Sequence, residues 1–289
     1  MAALLVGILA VPAVFPDQPD DRPAAPAGTP TMYSAAAIKA AEDNPRLLIN
    51  QPGWKVTTVY GFSKQQGTIA FRNDKAELEM NWYPADTYDD FYADRLLVSK
   101  PEPVTVDSWP GDLFTYSAGD FAVVLRPRDG VLVELRTVTP WTRRTFDRLL
   151  TDVVRVDART WLAALPAQVV TPDRVAAEAA NALADVPLPP EFDAAAALAH
   201  IGTNDPYHFG TEVTGRVGCA WISEWFRAKR TGDDTALKRA GDALLSSHEW
   251  RVLRQMNEKG DWPEVFWDIA DKVAAGNPPT GYASALGCY

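Results

Sequence analysis

Apolar and polar side chains alternate with a period of two through the first half of the chain, and a period near 3.6 takes over in the second. Trp54 to Tyr60 (WKVTTVY), Thr68 to Phe71 (TIAF) and Ala76 to Trp82 (AELEMNW) are β-branched or alternating runs separated by Gly61, Gly67 and Asn73-Asp74, which predicts a meander. A helix is expected at Thr87 to Val98, with Tyr88, Phe91, Tyr92, the stem of Arg95 and Leu96 on one face. The pattern then repeats: strands at Asp112 to Ser117, Phe121 to Leu125 and Val131 to Thr137, and a helix at Arg143 to Val154. Each hairpin ends at a proline, Pro84 or Pro140, and each helix carries a phenylalanine with an Asp-Arg-Leu-Leu run (Phe91 with Asp94 to Leu97, Phe146 with Asp147 to Leu150). This internal similarity reads as two copies of a βββα unit. The fold class expected is therefore α+β, a mostly antiparallel sheet domain with helices on one face, followed by an all-α domain.

From Ala158 onward the strand signal stops. Helices are expected near Thr160 to Leu165, Asp173 to Ala184, Phe192 to Ile201, Glu212 to Lys229, Thr235 to Asn257 and Pro263 to Ala274. Pro166, the Pro187-Leu188-Pro189-Pro190 run, Gly202, Gly232-Asp233 and Gly260-Asp261 break them, with Asp173 and Asp233 as first-turn acids or caps. The domain boundaries that follow are an α+β domain at 33–157, a helical domain at 158–275 and a loose tail at 276–289.

The N-terminus belongs to neither pattern. Met1 to Phe15 (MAALLVGILAVPAVF) is uncharged. As helix it reaches about 22 Å, short of the ~30 Å hydrocarbon core. We read it as the outer end of a transmembrane helix that begins upstream of Met1. A signal peptide without its basic region, or a buried core segment, are the alternatives. Residues 16–32, rich in Pro and Asp, cannot build a core and read as an extended linker from that anchor.

With 47% hydrophobic and 23% charged residues the chain has the composition of a folded protein, so the linker is an exception within it. The formal charge of -10 disfavours phosphate neutralisation, so no nucleic acid partner is expected. The expected partners are the membrane, through the N-terminal segment, and an envelope protein or ligand. Cys219 and Cys288 can join in one bridge that straps the tail to the helical domain, closing a loop of about 70 residues worth about 4 kcal/mol in the chain-entropy model. Two free thiols are the alternative.

No nucleophile elbow, Walker loop or dinucleotide fingerprint occurs in the sequence, and no cofactor is expected. The weak ligand-binding candidates are His200, His208, Glu212 and His248. His208 and Glu212 stand four apart with Asp205 just before them, a spacing that shares one helix face. They match no metal motif, Gly210 leaves the start of the helix open, and capping and solvated polar surface explain all three better, so no metal site is expected. His248-Glu249 does not complete a His-Glu-x-x-His sequence. Glu77 and Glu79 share a strand face opposite Leu78 and Met80, and solvent exposure is the expectation for both, as for Asp89 and Asp90. Ten tryptophans stand out, and the spacings Trp221 with Trp225, and Trp262 with Phe266 and Trp267, read as helix packing before any aromatic groove.

Val186-Pro187-Leu188-Pro189-Pro190-Glu191-Phe192-Asp193, Gly218-Cys219-Ala220-Trp221-Ile222 and Leu286-Gly287-Cys288, with Val156 to Leu162 and Ala164-Leu165-Pro166, resemble an uncharacterised group of actinobacterial single-pass membrane proteins. Such proteins are often found beside extracytoplasmic-function sigma factors, and the resemblance implies an envelope-sensing context. It carries over no catalytic residue. The group's cytoplasmic segment has no counterpart in this sequence, which leaves direct sigma-factor contact without support. The functional expectation is a non-enzymatic extracytoplasmic module for sensing, binding or scaffolding, at the cell membrane or secreted. An enzyme with a nonstandard site at the interface of the two domains is the alternative.

Overall fold

The computed structural model describes residues 33–61, 66–138 and 141–288. The expected anchor at 1–15, the linker at 16–32 and the hairpin end at Pro140 lie outside the described residues. The chain divides into two compact units, Thr31–Ala184 with Pro190–Arg216, and Asp185–Pro189 with Val217–Tyr289. The division does not follow the change from strands to helices at Ala158: the helices as far as Arg216 belong with the sheet.

The first unit opens with α1 (Ala35–Glu42), capped by the Ser34 hydroxyl, and β1 (Leu47–Ile49). Three strands follow, β2 (Lys55–Tyr60), β3 (Gly67–Arg72) and β4 (Glu77–Pro84), then α2 (Tyr88–Leu96). Next come β5 (Glu102–Val106), β6 (Trp109–Ser117), β7 (Asp120–Arg128), β8 (Val131–Thr137), α3 (Arg143–Leu150) and β9 (Val153–Arg155). Helices α4 (Ala158–Ala163), α5 (Val175–Ala182) and α6 (Ala194–Leu198) follow. Helix α7 (Pro206–Thr231) gives its residues up to Arg216 to this unit and the rest to the second.

A seven-stranded antiparallel sheet runs β2-β3-β4-β8-β7-β6-β5, and β1 pairs with β9 in a two-stranded sheet. The α+β class holds. The two β-triplets lie head to head, with β4 against β8 at the centre from Leu78↔Thr137 to Pro84↔Val131. A tight turn sets the register of β7 with β8. Asp129 and Gly130 both take positive φ (54° and 86°) between the paired Arg128 and Val131, the backbone of a type I′ hairpin.

One face of the sheet is the core. Ile69, Leu78, Met80, Trp82, Val133 and Leu135 are fully or almost fully buried there with Ala37 and Ala41 of α1, Phe146 and Leu149 of α3, and Trp161 of α4. Gly67 is required at its position because a Cβ would lie 2.2 Å from the Trp82 ring.

The expectation of helices on one face is corrected. Helix α2 packs on the opposite face, over Phe114, Val124 and Leu132. Tyr83 meets Phe91 at 5.0 Å and Tyr92 meets Phe114 edge-on at 5.5 Å. Beneath the helix Arg95 donates to Glu134 at 3.0 Å while lying 3.6 Å over the Phe91 ring. Apolar side chains on both sheet faces need a cover on both, and one amphipathic helix with tyrosines along its stripe supplies the second.

The second unit holds the end of α7 with α8 (Asp234–Leu245), α9 (Arg251–Asn257), α10 (Trp262–Ala274) and α11 (Tyr282–Leu286). The single helix expected from Thr235 to Asn257 is broken by a 3-10 turn at Ser246–Glu249 and by Trp250, whose extended backbone carries its ring into the core. Trp221, Trp225 and Phe266 are buried, in line with helix packing. The tail expected to be loose contains α11, with Leu286 buried. No helix among the described residues is long and apolar enough to cross a membrane.

Candidate functional site

An edge strand leaves backbone groups that need partners. At the outer edge of β2 these are supplied by Asn204 and Asp205. The Asp205 N–H donates to the Val59 carbonyl at 2.8 Å, and the Gly61 N–H donates to Asn204 Oδ1 at 2.7 Å. Asn204 is itself buried, its backbone paired in both directions with Val170.

Asp205 then opens α7. Its Oδ1 accepts from the His208 backbone N–H at 3.0 Å, an N-cap with Pro206 at the first helical position. Its Oδ2 stands 2.9 Å from His208 Nδ1, so an ionised Asp205 assigns the ring proton to Nδ1 and makes Nε2 the acceptor. The ring also packs on Tyr60 at 4.4 Å between centroids. This is an oriented, partly exposed imidazole, able to accept a hydrogen bond or take a proton from a bound molecule.

His208 borders a polar strip across the second sheet face. The registers place Tyr60 beside Thr68, Thr68 beside Asn81, and Asn81 beside Glu134. Strand spacing makes this row about 14 Å long. Thr68 Oγ1 donates to Asn81 Oδ1 at 2.6 Å, and Asn81 is nine-tenths buried. The neighbouring row pairs Ala70 with Glu79 and Glu79 with Arg136.

Glu77 and Glu79 share a face as expected, but their solvent exposure is corrected, since both are partly buried. Glu77 is ion-paired with Arg72 at 2.6 Å. Arg136 turns to Asp120 at 3.2 Å and lies over the Tyr116 ring. Burial, and next the Glu77 carboxylate, push the Glu79 carboxyl above the ordinary carboxylate range. Burial likewise raises Tyr83, with Glu134 adding to it, to about 12. Asp89 and Asp90 are exposed, as expected.

Each candidate has its own surroundings. His200 is exposed in the turn after α6. Glu212 lies one turn beyond His208 but bonds Arg216 at 3.4 Å. His248 belongs to the second unit, where it stacks on Trp267 and bonds Asp271 at 3.0 Å. Among the described residues no group of three or more His, Cys, Asp or Glu side chains could hold a metal ion. Reasoning from sequence missed Asn204, Tyr60 and the Thr68-Asn81 pair. The Asn204-Asp205-Pro206 run was the available signal, a cap residue before a proline.

Cys219 and Cys288 form a disulfide, with 5.6 Å between their Cα atoms. Such bridges persist in oxidising compartments, which fits a location outside the cytoplasm. Comparison with protein-family models, curated proteins and solved structures found no match.

Proposed function

We propose that the chain is a non-enzymatic extracytoplasmic module that binds or senses a component of the cell envelope and is held at the membrane through residues 1–15. The observation that carries this reading is the Cys219–Cys288 bridge, which would be reduced in an ordinary cytoplasm. The polar strip on the second sheet face supports binding, because the partly exposed Thr68, Glu79 and Arg136 offer hydrogen-bonding groups at fixed registers. The test is fractionation of cells making the full chain. Retention in carbonate-washed membranes, with release when residues 2–15 are deleted, is expected, and full-length chain in the cytosol would refute the reading.

The Asp205–His208 pair favours a second reading, an enzyme that uses His208 as a base. A hydrolytic activity of the purified chain that His208→Ala abolishes, with the fold retained, would replace the binding reading.

A further inference from the structure

The C-terminal segment is built as a strap. Gly281 and Gly287, at φ 88° and 69°, bracket α11 in the left-handed region that glycine reaches without strain. From Gly281 on, its backbone hydrogen bonds close on themselves, Ala285 N–H to the Gly281 carbonyl and Cys288 N–H to the Ala283 carbonyl, whereas Gly276 and Asn277 bond back to Val273 and Lys272 of α10. Its buried anchor is Leu286, 5% exposed. Tyr282 adds a ring contact at 6.0 Å to Phe226.

The seat beneath is made by a missing side chain. A Cβ on Gly218 of α7 would come within 2.6 Å of the Phe266 ring and 3.7 Å of Leu286, so the glycine lets α10 and the strap close over the same spot. Cys219, the next residue, holds the lock. Cys219 and Cys288 are both only partly buried. The helices under the strap have their own packing, with Phe266, Ile269, Ala270 and Val273 of α10 and Ala240 and Leu244 of α8 all buried.

We propose that the Cys219–Cys288 disulfide is a reducible latch, whose opening by an extracytoplasmic dithiol lifts residues 278–288 and uncovers the Gly218–Phe266 seat while α7 to α10 stay folded. The exchange balances. One thiolate of the dithiol attacks a sulfur of the bridge and expels the other cysteine as thiolate, and the second thiol then displaces the mixed disulfide. Two electrons and two protons pass to Cys219 and Cys288, and the dithiol leaves as its own disulfide. This inference goes beyond the binding reading and does not depend on the membrane anchor.

The test is hydrogen exchange on the full chain, oxidised and after reduction with a phosphine, with a Cys219→Ser/Cys288→Ser variant as a form that cannot relock. Amides of 282–288 should exchange about tenfold faster or more in the reduced chain and in the variant, while those of α8 and α10 keep their protection. Unchanged protection at 282–288 would overturn the latch, because the strap would then be held without its bridge. Loss of protection throughout α8 and α10 would overturn it equally, making the bridge a structural staple. As a second variant, Leu286→Ala in the oxidised chain should loosen 282–286 less than reduction does. A larger effect would shift the lock from the sulfurs to the leucine and overturn the proposal.

Discussion

Replacing Arg95 with Met tests how α2 is fixed to the sheet. The Arg95 side chain is 17% exposed and that of Glu134 only 3%, so removing the guanidinium leaves a carboxylate buried among Phe114, Val124 and Leu132 without its counter-charge. Breaking a buried pair from one side costs about 3–5 kcal/mol. Loss of the stacking on Phe91 removes about 1 kcal/mol more, while the residual exposure of Arg95 pulls the sum toward the lower end. An overall loss of about 3 kcal/mol corresponds to roughly 6–12 °C in the melting point of a unit this size. The pair's worth is a separate question. The double variant Arg95→Met/Glu134→Leu removes both charges and should lie within about 1.5 kcal/mol of the parent, because a buried ion pair exchanged for apolar groups is often close to neutral. Hydrogen exchange of the β4 and β8 amides across a urea series scores this unit alone. A cost below about 1 kcal/mol for Arg95→Met would refute the reasoning, since that is the range of a solvated surface pair.

Gly67→Ala should destabilise the same unit by about 1–3 kcal/mol or more, by driving a methyl into the Trp82 ring 2.2 Å away; urea denaturation checks it. Glu79→Gln probes the polar strip through pH. A carboxyl whose folded pKa is raised contributes stability below its unfolded pKa, and that contribution is lost as pH rises through the folded value. The Gln variant should therefore be the more stable at pH 7, with its advantage fading as pH falls toward about 4; an advantage independent of pH would refute the assignment to ionisation. Asp205→Ala removes a helix cap and a contact to the edge of β2, and should cost about 1–2 kcal/mol in a melting experiment.

The strands of both triplets were legible because their alternation is strong and their turns carry Gly or Asn-Asp. Strand β5 escaped notice because it contains Pro103 and leads into β6 through Asp107-Ser108, a turn with positive φ at both residues but no glycine. Strand β9 was absorbed into the helix expected from Arg143 to Val154, since Val153 and Val154 continue its apolar run. The side taken by α2 could not be read. It depends on the cross-strand register that gathers Phe114, Val124, Leu132 and Tyr83 on one face, and register is a property of pairs of strands. At the candidate site, the helix expected from Glu212 begins at Pro206, because Gly210 lies inside α7, with its carbonyl accepting from the buried Thr214 hydroxyl. The disulfide was legible as a pairing of the two cysteines present, whereas the seat that Gly218 makes for Phe266 was not. A missing side chain leaves no pattern until its neighbours are known.

The most direct test of the account is the state of the two cysteines in intact cells, probed with a membrane-impermeant maleimide before and after an impermeant reductant. A bridged, extracytoplasmic chain predicts no labelling at first, and labelling of both Cys219 and Cys288 once the reductant is added, with the cells still closed. Labelling of both residues without reduction, and only after lysis, would contradict it.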